Sequence, residues 1–101
     1  MVLINHDTRR KLGLKIRELR KLMGYTQEEL NEKSNVSAKF IGEIERGEVN
    51  PSLESLIRIA SALNINVRDL FPDEKSMLLC FSPSELKLVR KATGILYRKL
   101  K

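Results

Sequence analysis

The stretch TQEELNEKSNVSAKFIGEIERG, residues 26–47, decides the fold because it holds two short helical patterns and an abrupt joint between them. Thr26 begins the first pattern. Its hydroxyl can accept a hydrogen bond from the amide of Glu29 while the Glu29 carboxylate reaches back to the Thr26 amide, which is the capping-box arrangement. We therefore predict a short helix over residues 27–34.

The joint and the second helix are also specified by residue type. Asn35 is one of the few non-glycine residues that tolerate the left-handed backbone region, and Ser37 is a good N-cap. The apolar residues that follow fit one helical face, and Gly47 is suited to a left-handed C-cap. We predict a tight turn filled by Val36 and a second helix over residues 37–46. A joint this abrupt indicates a helix that is held at a fixed angle.

Apolar spacing and cap residues predict the rest of the chain as helical. The expected architecture is all-α, with a five-helix domain in residues 1–72 and a C-terminal extension in residues 73–101. No convincing strand pattern occurs, although residues 77–81 could form a short extended segment after a polar connector. The predicted helices outside the central stretch cover residues 8–24, with Asp7 or Thr8 as the cap, and residues 53–63, 67–71 and 83–100.

Charge is unevenly distributed along the 101 residues, whose formal net charge is +6. Residues 1–24 carry a net charge of +5, residues 25–74 carry −5, and residues 82–101 carry +5. Basic blocks favour an anionic partner such as nucleic acid. The alternative is that these charges simply belong to solvated helix faces.

The composition gives little support to catalysis. The chain has one cysteine, Cys80, and one histidine, His6, and neither comes with a second ligand, a nucleophile or a base. We therefore predict that the protein is not an enzyme and needs no cofactor or metal. No apolar stretch approaches the ~20 residues that cross a bilayer, and no signal-peptide pattern occurs, so we expect a cytoplasmic protein without membrane contact.

Residues 12–71 hold a series of short motifs in register: Ile16-Arg17-Glu18-Leu19-Arg20, Thr26-Gln27-Glu28-Glu29-Leu30, Val36-Ser37, Ile41-Gly42-Glu43-Ile44-Glu45-Arg46-Gly47, Asn50-Pro51-Ser52-Leu53 and Ile59-Ala60-Ser61-Ala62-Leu63. In these motifs the chain resembles the Cro/cI-type repressor domain, often called the XRE family. The resemblance implies a lambda-repressor-like helix-turn-helix fold, in which helix 27–34 crosses the phosphate backbone and helix 37–46 enters the major groove of double-stranded DNA.

The DNA contacts expected from this resemblance cluster around the second and third helices. To them we add two residues of the basic segment that enters the first helix, which could neutralise phosphates. The expected DNA-binding residues are Gln27, Ser37, Ala38, Lys39, Phe40, Glu43, Arg46 and Asn50, together with Arg9 and Arg10.

Three of these side chains have chemistry suited to base edges. Lys39 can donate to guanine, Ala38 can touch a thymine methyl group, and Glu43 can accept from a cytosine amino group. Alternatives remain for each polar residue: Lys39 could bind only phosphate, and Glu43 could be a solvated charge or an intramolecular partner. Phe40 could cover the edge of the core instead of reaching DNA.

Two further residues match a structural pair of the family. Arg20 and Glu45 are expected to form an ion pair that joins the first helix to the end of the third. The joint departs from the family pattern, which usually has Ala at Asn31, an apolar residue at Ser34 and Gly at Asn35. These departures concern the packing of the joint.

The C-terminal helix carries an apolar seam at spacings of three and four residues, which is typical of helix pairing. We predict that this seam pairs two copies of the chain in a homodimer. We also predict that the homodimer binds an inverted-repeat operator and acts as a repressor. The alternatives are that the helix folds back on its own domain, that its basic flanks touch DNA, or that it binds a partner protein as an antitoxin does. The seam residues are Leu86, Val89, Leu96 and Leu100.

Overall fold

The computed structural model describes residues 4–90, and every regular element in that range is helical. The all-α prediction is therefore confirmed. The elements are α1 (His6–Leu22), α2 (Gln27–Ser34), α3 (Ala38–Glu45), α4 (Leu53–Ala62), a 3₁₀ helix (Val67–Leu70), α5 (Glu74–Cys80) and helical residues 83–90.

Helix α1 begins earlier than the sequence predicted. Its N-cap is Asn5, whose side-chain oxygen accepts a hydrogen bond from the Thr8 amide at 2.8 Å. Asn is as good a cap as Asp or Thr, so residue type alone did not separate the three positions. The helix ends just before Gly24, which has the left-handed φ of +77° expected of a helix terminator.

The central joint is confirmed in detail. Helix α2 covers the predicted residues 27–34, and its capping box between Thr26 and Glu29 is formed in both directions. Asn35 is left-handed, with φ 59° and ψ 29°. Ser37 caps α3 by accepting from the Phe40 amide at 3.1 Å. Val36 is 6% exposed and fills the angle between the two helices.

One continuous core holds the helices together. Helix α3 packs against α1 and α2, and α2 also packs against α4. Each fully buried Leu or Ile side chain of this core contributes roughly 1.5 to 3 kcal/mol to stability by leaving water. The inward side of α3 is therefore fixed by aliphatic packing. The residues with essentially no exposure include Leu12, Ile16, Leu30, Ile41, Ile44, Leu56, Ile59 and Leu70.

The prediction of an extended segment at residues 77–81 was wrong, because α5 occupies this part of the chain. Asp73 caps α5 by accepting from the Ser76 amide at 2.6 Å. Met77 and Phe81, four residues apart, are buried on one face, and the Phe81 ring meets Phe71 edge-on with centroids 5.5 Å apart. The apolar run was too short for its helical period to be read.

A capping box starts the next helix as predicted. The Ser82 hydroxyl accepts from the Glu85 amide, and the Glu85 carboxylate accepts from the Ser82 amide. Val89 is 1% exposed and belongs to the same core as α1 to α4. No helix within residues 4–90 is both long enough and apolar enough to cross a membrane.

Candidate nucleic-acid interface

Helix α3 has one buried side and one open side. Ile41 and Ile44 point into the core and are 0% and 1% exposed. On the opposite side Ser37 and Lys39 are exposed, while Glu43 is partly exposed. The outward face of the N-terminal half of α3 is thus free of the protein's own chain in the described residues. An eight-residue helix presented in this way can enter a DNA major groove.

The departures at the joint form a small polar network that replaces the usual apolar contact. The Asn31 amide nitrogen donates to the Val36 carbonyl at 2.6 Å, and the Ser34 hydroxyl accepts from the Val36 amide at 3.2 Å. Both backbone groups of Val36 are therefore satisfied by α2 side chains. This network fixes the angle between α2 and α3 without the small residues that the family pattern predicts.

Arg20 and Glu45 lie together at the junction of α1 and α3. The Arg20 Nε and Nη2 atoms donate to the two Glu45 carboxylate oxygens at 2.7 and 3.1 Å, and Nη1 donates to the Tyr25 carbonyl at 2.8 Å. The two residues are 9% and 7% exposed. The hydrogen bond to Glu45 is the main reason that the Arg20 pKa is raised above its ordinary value. This bidentate pair ties the C-terminal end of α3 to α1.

Gln27, the first residue of α2, is attached to the same carboxylate. Its Nε2 atom donates to Glu45 Oε1 at 3.1 Å. Because a carboxylate only accepts, this bond fixes which end of the Gln27 amide faces Glu45. Within residues 4–90 the Gln27 carbonyl oxygen and its second N–H make no other hydrogen bond, so both can meet a ligand.

Gly42 leaves room for two side chains to cross the surface of α3. A β-carbon on this residue would lie 3.1 Å from Arg46 Nη1 and 3.5 Å from the Gln27 amide. Beside it is a polar cavity of about 270 Å³. Its lining consists of Gly42 and the side chains of Arg17, Arg20, Gln27, Glu45 and Arg46. The predicted DNA contacts Gln27 and Arg46 are therefore brought to one place.

Arg17 is a member of this site that the sequence interpretation missed. It is exposed and lines the same cavity as Gln27 and Arg46. Its spacing of three residues from Arg20 puts it on the same side of α1, so helical spacing could have identified it.

Gly13 is a second residue that was missed. A β-carbon at this position would overlap the Ile44 carbonyl oxygen and lie 2.7 Å from that of Glu45. The backbone of α1 therefore lies directly against the last carbonyls of α3. Gly13 lies four residues before Arg17 on the same side of α1, but a sequence shows no signal for so close an approach.

The basic segment at the start of α1 reaches the loop after α3. Arg9 Nη1 donates to Asn50 Oδ1 at 3.3 Å, and Arg9 also bonds to His6. Arg10 is exposed and lies over Gly47, where a β-carbon would be 3.2 Å from Arg10 Cγ. The structure thus gathers Arg9, Arg10 and Asn50 on one side of the α3–α4 loop.

Other predicted site residues lie elsewhere. Phe40 is partly buried and packs against the core, which agrees with the alternative that it covers the core edge. Val89 is buried in its own chain and Leu86 is partly buried against the same core, so we assign neither to a dimer surface. Leu96 and Leu100 lie outside the described residues. Within residues 4–90, no three side chains of the metal-binding types cluster together.

The sequence pattern of a known family, described as helix-turn-helix, matches residues 16–70. The chain belongs to the XRE-type helix-turn-helix family. The match includes α2, α3 and the Arg20–Glu45 pair, so the family pattern covers the hydrogen bonds that Glu45 makes with Arg20 and Gln27. Members of this family are DNA-binding transcriptional regulators and not enzymes, as the sequence predicted.

Individual members of the helix-turn-helix family support this assignment. The regulator YazB of Bacillus subtilis (strain 168) is 44% identical over 63 residues, which are 62% of this chain and 91% of YazB. The immunity repressor protein of Bacillus phage phi105 is 40% identical over 63 residues, 62% of this chain but only 44% of the repressor. The restriction-modification controller protein C.AhdI of Aeromonas hydrophila is 40% identical with a TM-score of 0.60, over 61% of this chain and 94% of C.AhdI.

Proposed function

We propose that this DNA-binding regulator is a repressor that binds an inverted-repeat operator as a homodimer in the cytoplasm. The observation that carries the proposal is the open outward face of α3, fixed from behind by Ile41 and Ile44 and at its end by Glu45. A rigid reading helix keeps its side chains in register with base edges. Likeness to a phage immunity repressor supports repression as the direction of control.

Within this proposal the side chains divide into two classes. Lys39 and Glu43 project from the reading face and would contact base edges, with Ala38 against a thymine methyl group. Arg10, Arg17 and the other basic groups around the loop and cavity would contact phosphates. Phosphate contacts set position and affinity, whereas base contacts set sequence preference.

The dimer is proposed because one eight-residue helix makes few base contacts, each worth roughly 1 to 3 kcal/mol. Two half-sites about 34 Å apart would double that discrimination. Because Val89 is buried and Leu86 is partly buried in their own chain, we place the proposed dimer surface away from these two residues. An apolar groove of about 550 Å³ lies between α4 and residues 83–90, with Leu53, Ile57 and the 53%-exposed Leu88 in its lining. Glu54, Arg58 and Glu85 give its lining charges of both signs, which suits contact with a second copy.

A pair of variants tests the DNA-reading part of this proposal. Lys39→Ala should relax the preference at one base position, because a base contact is lost. Arg10→Ala should weaken binding to all sequences alike and reduce the salt slope by about 0.9, because a phosphate contact is lost. Affinities for a panel of single-base operator variants at several salt concentrations measure both effects. Indistinguishable behaviour of the two variants would refute the division of roles.

The dimer part is tested by charge insertion. Leu88→Lys should shift the protein from dimer to monomer in sedimentation equilibrium. Leu79→Lys is the matched control, because Leu79 is 77% exposed on α5 and does not line the groove. A wild-type protein that remains monomeric both free and on DNA would contradict the dimer, as would a Leu88→Lys dimer of unchanged stability.

A further inference from the structure

An ion pair stands at the edge of the proposed interface. Arg46 Nε lies 3.1 Å from Glu48 Oε2, and the two side chains are 57% and 52% exposed. The other end of the guanidinium lies over Gly42 beside Gln27. Arg46 therefore connects a carboxylate on one side with the polar cavity of the candidate site on the other.

The turn at Gly47 holds the carboxylate in this place. Gly47 has a φ of +72°, and it reverses the chain so that the Glu48 amide donates to the Glu43 carbonyl at 2.9 Å. The hydrogen bond from Arg46 is the main reason that the pKa of Glu48 lies below its ordinary value. Glu48 is therefore ionised at neutral pH and fixed next to the end of α3.

Such a pair contributes little to folding, because both partners are exposed to water. Its consequence for DNA binding is greater. A phosphate and a carboxylate are both acceptors with negative charge, so they repel each other and compete for the same guanidinium N–H groups. A phosphate that takes the Nε edge of Arg46 must displace Glu48, and one that binds the Nη atoms lies near the Glu48 carboxylate and is repelled by it.

We propose that Glu48 is an intramolecular competitor of DNA for Arg46, which lowers the affinity of the protein for DNA. This inference rests on the proposed function, since it assigns Arg46 to a phosphate in the complex. Glu48 thus sets how tightly the reading helix is held on DNA, without any contact with a base.

The test uses Glu48→Gln in the full chain, with a duplex of random sequence and, once selected, an operator duplex. Removal of the carboxylate should tighten binding about two- to fivefold at low salt, the factor that corresponds to losing one exposed ion pair. The tightening should be nearly the same for both duplexes, because phosphates carry no sequence information. It should shrink as salt rises.

Two controls separate competition from a general change in charge. Glu32→Gln removes an exposed carboxylate of α2 that lines neither the polar cavity nor the apolar groove, and the change in net charge is the same. It should alter affinity much less. In an Arg46→Ala background, the gain from Glu48→Gln should fall at least twofold, because only repulsion of the DNA then remains to be relieved.

The outcomes are distinct. Equal gains from Glu48→Gln with Arg46 present or absent would overturn the competitor role in favour of long-range charge. Equal gains from Glu48→Gln and Glu32→Gln would overturn it on the same ground. Unchanged or weaker binding by Glu48→Gln would overturn it as well, while the proposed function stands. A wild-type protein that binds neither duplex would refute the proposed function itself and remove the basis of the inference.

Discussion

Asn31→Ala is the substitution for which the family pattern and the structure predict opposite signs. The family usually has Ala at this position, so a change toward the pattern would be expected to stabilise the fold. In this chain the Asn31 amide donates to the Val36 carbonyl at 2.6 Å and holds the joint between α2 and α3. The structure therefore predicts that Asn31→Ala destabilises the protein.

The size of the effect follows from two opposing contributions. Loss of the donor leaves a carbonyl at a part-buried joint without this partner, which costs about 1 to 3 kcal/mol. Ala is the better helix former by up to ~0.7 kcal/mol, which offsets part of the loss. The net destabilisation should be about 0.5 to 2 kcal/mol. For a domain of this size, the Tm should fall by roughly 2 to 16 °C.

Urea unfolding, followed by circular dichroism at one fixed protein concentration, measures this effect. The concentration must be fixed because the proposed dimer would make apparent stability depend on it. Glu32→Ala, at an exposed position of α2, is the control and should stay within ~0.5 kcal/mol of wild type. Asn31→Asp keeps the shape but cannot donate, so it should destabilise at least as much as Ala. An Asn31→Ala protein as stable as wild type would refute the role assigned to this bond.

Three other substitutions test the packing and charges around α3. Gly13→Ala should destabilise by about 1 to 3 kcal/mol in urea unfolding, because its β-carbon would meet backbone carbonyls of α3 that cannot move alone. Glu45→Gln should cost about 3 kcal/mol, because it leaves the buried Arg20 without its counter-charge, and calorimetry would measure the loss. Arg46→Ala should raise the pKa of Glu48 toward its ordinary 4.5 in an NMR titration. With Arg46 in place, the stabilisation from ionised Glu48 is present above that value and is lost as pH falls through the lowered pKa.

The helical core of this protein could be predicted from sequence because local signals and apolar spacing agreed. Thr26, Ser37 and Gly47 each specified a helix end, and all three perform that role in the structure. Where several residues were equally suitable, as at the start of α1, the prediction chose the wrong cap. Helix α5 was missed because its apolar run, residues 77–81, is shorter than two helical turns.

The candidate site was predictable only in part, because several of its contacts depend on how distant segments meet. Resemblance to the family supplied Gln27 and the residues on the face of α3. It did not indicate that Gly13 lets α1 touch α3, that Arg17 joins the cavity, or that Val89 turns inward. Those facts follow from the packing of whole helices, which spacing within one helix does not determine.

Selection of bound duplexes from a random pool at physiological salt tests the central claim most directly. A reading helix that is fixed from behind and open in front should enrich one short motif, repeated in inverted orientation with half-site centres about 34 Å apart. Lys39→Ala should then lose the preference at one position of each half-site. A selected pool with the same base frequencies as the starting pool would contradict the claim that α3 reads DNA sequence.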